Sequence, residues 1–437
     1  MNTCLGLDIG SSSVIAGILR GTKVVKESRR VFFKSVCSGP RVEVTPESLL
    51  EAVAKAVSSL GSEGRKADHV AMAVMSPAWV AMDRAGKALT PIITHQDRRS
   101  VSEALEIEKR VGKARHLRIT GCRPFPGGIS STTWAWYLKH EPARLRKADL
   151  VGHLNTYLHR QFTGSRVTDP SNASFTGLYE TMKLRGWSPE LCVNLGVDRR
   201  LLPDVLPANR IAGCLRADAA AWLGLRTGTP VLTGIMDGSA GMLFAGAEHG
   251  RLFNVTGSTD VLALCTMKPA PAEHLLTRAL GLDGKFLAIS TLAAVASAIY
   301  WARDQFFQDW PIEKFRREFH RLARLGPKAS GGIVFDPYMA GERTSIEQRK
   351  GGFQNITLAT TRTHLLSAIV EGLVRASAER LPLLAATGTP MLHDVVVSGG
   401  SDRLDKILRR DWPGKWKFHP TTDATMRGLG LLDPEPA

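Results

Sequence analysis

One pattern occurs twice in this chain of 437 residues and constrains its fold more than any other: an apolar strand, a glycine followed by hydroxyl side chains, and a returning apolar strand. The first copy runs through Leu5, Leu7 and Ile9, turns at Gly10-Ser11-Ser12-Ser13, and returns through Val14 to Leu19. The second runs Leu252 to Thr256, turns at Gly257-Ser258-Thr259, and returns through Val261 to Leu264. The two turn glycines lie 247 residues apart. A single echo at that distance points to two related domains, and the length suits two or three. The boundary falls near residues 241–250, giving domains 1–244 and 245–437.

Between the copies, apolar spacing predicts a helix over Pro46 to Leu60, a strand over Val70 to Val74 ending at Met75-Ser76-Pro77, and helices over Trp134 to His140 and Leu150 to Phe162. Asp169-Pro170-Ser171-Asn172 reads as a breaker. Val231 to Met236 reads as a strand, with Asp237 opening a helix of small residues. Phe286 to Ala302 is the longest uncharged run and reads as a buried core helix, too short and too hydroxylated for the ~20 apolar residues of a membrane span. Leu365 to Leu381 is an amphipathic helix that Pro382 should stop, and Val395 to Val397 is a strand running into Ser398-Gly399-Gly400-Ser401. The fold class is α/β, built twice.

Composition excludes several functions. Hydrophobic residues at 43% and charged residues at 22% are ordinary for a globular chain. The net charge of +16 favours anionic ligands, but the basic residues are spread as isolated pairs such as Arg29-Arg30 and Arg199-Arg200 rather than focused with aromatics, so no nucleic-acid partner is expected. Six scattered cysteines without a CxxC pair fit free thiols in a reducing cytoplasm, and the twelve histidines show no zinc spacing. No membrane partner is expected; a homodimer is compatible with the sequence.

Three glycine-hydroxyl turns follow apolar strands: Gly10 to Ser13, Gly257 to Thr259, and Gly399-Gly400-Ser401. Glycine allows backbone N–H groups to converge on an anion and hydroxyls add donors without bulk, which suits polyphosphate; each turn alone also reads as an ordinary hairpin. Asp8, just before the first turn, is either a Mg²⁺ ligand beside phosphate or a solvent-facing strand residue. Asp237, at a strand's carboxyl end, is either a base that takes a proton from an attacking alcohol or a helix N-cap. Trp79 is either a sugar platform or core.

The ordered series GLDIGSSSV, ITHQDRRS, TGIMDGSAGMLFAGA, NVTGSTDVL, PYMAGERTS, VEGL and VVSGG resembles the FGGY family of carbohydrate kinases, in the actin-like ATPase superfamily, over residues 3 to about 432. MAGERTS, HEPARLRKADLV and the stretch Thr163-Gly164 to Asp169 fit the xylulokinase-like branch. The resemblance implies two ribonuclease-H-like domains with ATP and a sugar in the cleft between them. It gives Asp237 the catalytic base position, Asp8 the Mg²⁺ position, and Gly10, Ser11, Ser12 and Ser13 the first phosphate loop. Gly257, Ser258 and Thr259 match the second phosphate loop, and Gly399, Gly400 and Ser401 the adenosine loop. Asp97 and Arg99 match the family's Asp-x-Arg; with Ser76, Pro77, Trp79 and Asp237 they form the expected substrate set.

The chain departs from that pattern in places. Met75-Ser76-Pro77-Ala78 replaces Gln-Met-His-Gly, and His95 replaces a tryptophan. Asp260 stands where glycine is frequent, an added negative charge beside phosphate unless it faces away, and Ser398 stands for a third glycine. The C-terminal segment Thr425 to Gly430 is altered and the C-terminus shortened relative to many members. The implied activity is transfer of the γ-phosphate of ATP, with Mg²⁺, to a hydroxyl of a sugar or polyol, a class that includes ketoses such as xylulose. The alternative is a catalytically weak nucleotide- or sugar-binding regulator of the same fold.

Overall fold

The computed structural model describes residues 2–347, 349–399 and 404–435. The chain forms two units: Met1–His249, Cys265–Leu287 and Asp423–Ala437 make the first, Gly250–Leu264 and Ala288–Thr422 the second. The chain thus passes between units more than once, rather than being cut at one point.

The first unit carries an eight-stranded sheet whose main path runs Ile211–Cys214, Pro230–Leu232, His69–Val74, Thr3–Ile9, Ser13–Arg20, Lys23–Glu27. Thr3–Ile9 pairs antiparallel with Ser13–Arg20 and parallel with His69–Val74. Side chains alternate across a strand, and both faces here are apolar. Leu5, Leu7 and Ile9 join Leu49, Val53 and Val57 of helix Pro46–Ser58 on one face. Cys4, Ile15 and Ala73 meet Ala240, Met426 and Leu429 on the other.

A second, five-stranded antiparallel sheet of this unit runs Leu150–His153, Ala78–Met82, Ile92–Thr94, Arg41–Val44, Ser35–Ser38. Strand Ala78–Met82 sends Ala78, Val80 and Met82 into the first core and Trp79 and Ala81 into a second, aromatic one with Trp134, Trp136 and Tyr137.

In the second unit the strands run Phe286–Leu292, Asp260–Thr266, Leu252–Thr256, Asp394–Gly399, Lys417–Thr421. Leu252–Thr256 pairs antiparallel with the strand that follows it and parallel with Asp394–Gly399, which is parallel with Lys417–Thr421. The same senses join Thr3–Ile9 to its neighbours, so the twofold build expected from the two hairpins is present. Helix Arg362–Ala385 buries Leu366, Ile369, Val370, Leu373 and Val374 against helices Ala296–Phe306 and Ile312–Leu325.

Three expectations fail locally. Phe286 to Ala302 is a strand, Phe286–Leu292, followed by helix Ala296–Phe306; a short apolar run has no period that separates buried strand from buried helix. Leu150 to Phe162 likewise divides into strand Leu150–His153 and helix Leu154–Phe162. Pro382 does not stop its helix, which runs on to Ala385; the lost N–H bond falls where the last turn begins.

Helices Asp237–Phe244 and Ala424–Leu429 pack backbone to backbone. A Cβ on Gly428 would sit 1.9 Å from the Ala240 carbonyl oxygen. Gly428→Ala must therefore push the Asp237 helix away, and we expect a loss of about 2–4 kcal/mol in urea denaturation.

Candidate active site

Register brings the sequence-selected residues of the first unit to one edge of the sheet. Ile9 and Met236 both lie opposite Val74, on the two strands that flank it in parallel. Gly10, Met75 and Asp237 therefore leave the carboxyl ends of three adjacent strands side by side, where α/β sheets bind ligands. Asp237 is the first residue of its helix, not the cap; Met236 is the cap, and the Asp237 carboxylate accepts from Gly238 N–H at 2.6 Å.

The carboxyl group of Asp8 is pushed up to about 7, first by burial, then by the charge of Asp237, with Asp423 and Glu27 adding to the effect and Arg30 opposing it. Asp8 and Asp237 thus share one electrostatic field. An excess of hard carboxylate oxygens around Asp8 is the donor chemistry a Mg²⁺ ion fits, and Mg²⁺ characteristically takes one or two carboxylates and completes its shell with water and phosphate. Among the described residues no three acidic, His or Cys groups form an all-protein metal cage.

The sign of this shift has a measurable consequence. With a folded-state value near 7 against an ordinary 3.8, the native protein holds more protons than the unfolded chain between those values, so stability falls as pH rises through that window. Asp8→Asn without Mg²⁺ or nucleotide should therefore stabilise the protein by about 1–2 kcal/mol at pH 8, discounted for the partial exposure of the group. The gain should shrink at pH 5.

The first turn is a closed hairpin, with Gly10 N–H donating to the Ser13 carbonyl at 3.0 Å and Phe33 N–H to the Ser12 carbonyl at 3.0 Å. Ser76 is buried and donates to Asn172 Oδ1 at 2.6 Å; Asn172 Nδ2 donates to Asp169 at 2.6 Å. Ser171 Oγ donates to Asp169 and accepts from Met236 N–H at 2.9 Å. Asp169 also caps helix Pro170–Ala173, and burial lifts its carboxyl to about 6. The segment that read as a mere breaker therefore ties Ser76 to the residue before Asp237. Its sequence signal was the capping pattern of Asp followed by Pro-Ser-Asn.

Of the remaining substrate-set residues, Trp79 lies on strand Ala78–Met82 of the five-stranded sheet, Pro77 just before it, and Asp97 and Arg99 in the turn that follows strand Ile92–Thr94. Asp97 and Arg99 pair with each other at 2.7 Å, Arg99 also reaches Glu43 at 2.5 Å, and Asp97 accepts from Val42 N–H at 2.8 Å. The Arg99 guanidinium packs over Trp136 at 5.1 Å. Trp79 is buried, stacks on Tyr137 with centroids 5.0 Å apart, and its Nε1 has no partner among the described residues. Pro77 follows Ser76 through a cis peptide bond.

In the second unit the Gly257 and Ser258 carbonyls accept from Ala296 N–H at 3.3 Å and Val295 N–H at 2.8 Å. In planar trans peptides this aims the N–H groups of Ser258 and Thr259 the opposite way, off the helix start. Helix Ala296–Phe306 then lines a largely apolar groove through Ala296, Ile299 and Tyr300, closed by Phe315, Phe319 and Leu404. Gly399 has φ +76°, and a Cβ there would lie 2.4 Å from the Thr256 carbonyl oxygen, so only glycine suits this strand end. Gly400 and Ser401 lie outside the described residues.

Asp260 faces inward. It is buried opposite Thr256, accepts from Thr256 Oγ1 at 2.5 Å and Asn254 Nδ2 at 3.0 Å, and pairs with Arg380. Its charge is met inside the unit, not added to the turn.

The family model for the N-terminal domain of the FGGY family of carbohydrate kinases matches residues 3–244, and that for the C-terminal domain matches residues 252–409. The chain belongs to the FGGY family of carbohydrate kinases. As such it is a sugar kinase that uses ATP with Mg²⁺. This FGGY kinase is 24% identical over 421 residues to a xylulose kinase of Bacillus subtilis, covering 94% of this chain and 82% of the relative. To a xylulose kinase of Escherichia coli it is 26% identical over 412 residues, covering 91% and 82%. The crystal structure of a xyloylose kinase from Brucella ovis superimposes with TM-score 0.86 at 24% identity over 99% of this chain and 90% of that one. Among the described residues of the kinase, no helix is long and apolar enough to cross a membrane.

Proposed function

We propose that this kinase phosphorylates a ketose such as xylulose, with Asp237 as the base that orients and deprotonates the attacking hydroxyl. The observation that carries the reading is the shared edge of the sheet at which Gly10, Met75 and Asp237 emerge beside Asp8. Bound Mg²⁺ supplies charge neutralisation to the phosphates of ATP. Asp8 is its protein ligand. Gly10 and Gly257 close their turns through their own N–H groups. The N–H groups of Ser11, Ser12, Ser258 and Thr259 and the hydroxyls of Ser11, Ser12, Ser13, Ser258 and Thr259 hold phosphate oxygens, and Gly399, Gly400 and Ser401 hold the adenosine.

The groove of Ala296, Ile299, Tyr300 and Leu404 takes the adenine, since it is largely apolar and begins at the start of the helix held by the second turn, with Leu404 three residues beyond Ser401 in the sequence. Ser76, Pro77, Trp79, Asp97 and Arg99 shape the sugar pocket, Ser76 and Pro77 by direct contact and the Asp97–Arg99 pair by fixing the loop around it. The division of labour follows domains 1–244, with sugar, first turn and base, and 245–437, with second turn and adenosine. The ketose assignment is supported by the xylulose kinases among its relatives.

The enzyme acts in the cytoplasm on a free small-molecule sugar. Its basic side chains are spread along the chain as isolated pairs, and several are held in ion pairs such as Arg200–Asp198 and Arg410–Glu371, which argues against a nucleic-acid surface.

Coupled ADP release with Mg-ATP, over a panel of ketoses, aldoses, polyols and sugar acids, tests this. The highest kcat/KM is expected with a ketopentose. Selective turnover of a sugar acid or polyol would refute the substrate assignment, and no sugar-dependent turnover would refute the function.

A further inference from the structure

The first phosphate turn has donors but no cation of its own, and the charges around it are mostly negative. Asp237, Asp423 and Glu27 repel charge at Asp8, and Arg30 is the attractive charge set against them. Arg30 reaches the turn directly: its Nη1 donates to Ser13 Oγ at 2.9 Å. The backbone that carries it is pinned on both sides. Ser28 N–H donates to the Ala16 carbonyl at 2.8 Å and Ser28 Oγ accepts from Ala16 N–H at 2.9 Å. Val31 and Phe32 pair with Val14 and Ser13. The side chain itself stays exposed between these anchors.

We propose that Arg30 is a catalytic residue of this kinase, its guanidinium holding the phosphoryl group in transfer at the Gly10–Ser13 turn. The proposal rests on the reading of that turn and Asp237 as the transfer site. In the step, the sugar hydroxyl oxygen bonds to the γ-phosphorus as the bond from that phosphorus to the β–γ bridging oxygen breaks. The hydroxyl proton passes to the Asp237 carboxylate, and ADP leaves with the electron pair of the broken bond. The equatorial phosphoryl oxygens then carry negative charge next to two carboxylates. A fixed cation there stabilises the transition state more than the ground state, and the planar fork of arginine matches two phosphoryl oxygens at once.

The test compares kcat and KM for Arg30→Gln, Arg30→Lys, Arg29→Gln and Asp237→Asn, with thermal midpoints for each. Arg29 is the exposed neighbour and controls for net charge. Arg30→Gln should lower kcat by about 10²–10³-fold, the usual loss for one transition-state donor, with the KM for sugar unchanged. Arg30→Lys should recover part of the rate, and Arg29→Gln should behave as wild type. If Arg30→Gln does not fold, Arg30→Lys carries the test, with kcat expected about tenfold down because a point charge replaces the fork. Wild-type kcat in Arg30→Gln or Arg30→Lys, or an equal loss in Arg29→Gln, would overturn the proposal while leaving the site intact. Turnover retained in Asp237→Asn would instead overturn the reading of the site itself.

Discussion

Asp237→Asn should lower kcat by about 10²–10⁴-fold, the usual worth of a positioned general base, while the affinity for Mg-ATP stays within about twofold of wild type. Asparagine keeps the shape and can still accept the 2.6 Å bond from Gly238 N–H, so the helix start and the turn beside it are preserved. What disappears is the carboxylate proposed to take the hydroxyl proton. Calorimetric titration of ATP alongside coupled turnover separates the two effects. Loss of ATP binding would mean that Asp237 organises the nucleotide site, and unchanged kcat would mean that another group is the base.

The second large effect belongs to the other unit. Arg380→Ala strands the Asp260 carboxylate in the interior, with the Thr256 and Asn254 donors in place but its counter-charge gone. Breaking one partner of a buried pair typically costs about 3–5 kcal/mol, whereas replacing both with apolar groups is near neutral. Urea denaturation should therefore find Arg380→Ala severely destabilised, and the double change Asp260→Ala with Arg380→Met largely restored.

Because Asp260 closes the hairpin whose turn is Gly257–Thr259, the single change should also raise the KM for ATP. Equal stability of single and double variants would show that the pair contributes no such coupling. Arg409 extends the network: it donates to Asn254 Oδ1 at 3.0 Å and pairs with Asp405, one residue beyond Leu404 of the groove.

Much of this site was legible in the sequence because its signals are local. A hairpin with glycine and hydroxyls at the turn, an aspartate just before it, and an aspartate between a strand and a small-residue helix each occupy one short, continuous stretch of chain. The features that escaped are long-range. Ser76 and Asn172 are 96 positions apart, and Ser171 and Met236 are 65 apart, so the brace that ties Ser76 to the residue before Asp237 is formed by the fold alone. Arg30 and Ser13 are nearer in sequence, yet their contact depends on how Val31–Phe32 pairs back onto the returning strand.

Asp260 is the instructive case. As an isolated letter beside a phosphate turn it reads as repulsion; the strand's alternation turns it inward to Arg380, where its charge is matched. Phe286 to Ala302 failed for the opposite reason, since a run that is apolar throughout carries no period from which to choose between strand and helix.

The most direct test of the account follows phosphorus itself. Phosphorus-31 NMR of the wild-type enzyme with Mg-ATP and xylulose should show a new phosphomonoester resonance growing in step with ADP, and no growth in Asp237→Asn. Release of inorganic phosphate in place of the ester, or ATP left intact in the presence of sugar, would contradict transfer to a sugar hydroxyl at this site.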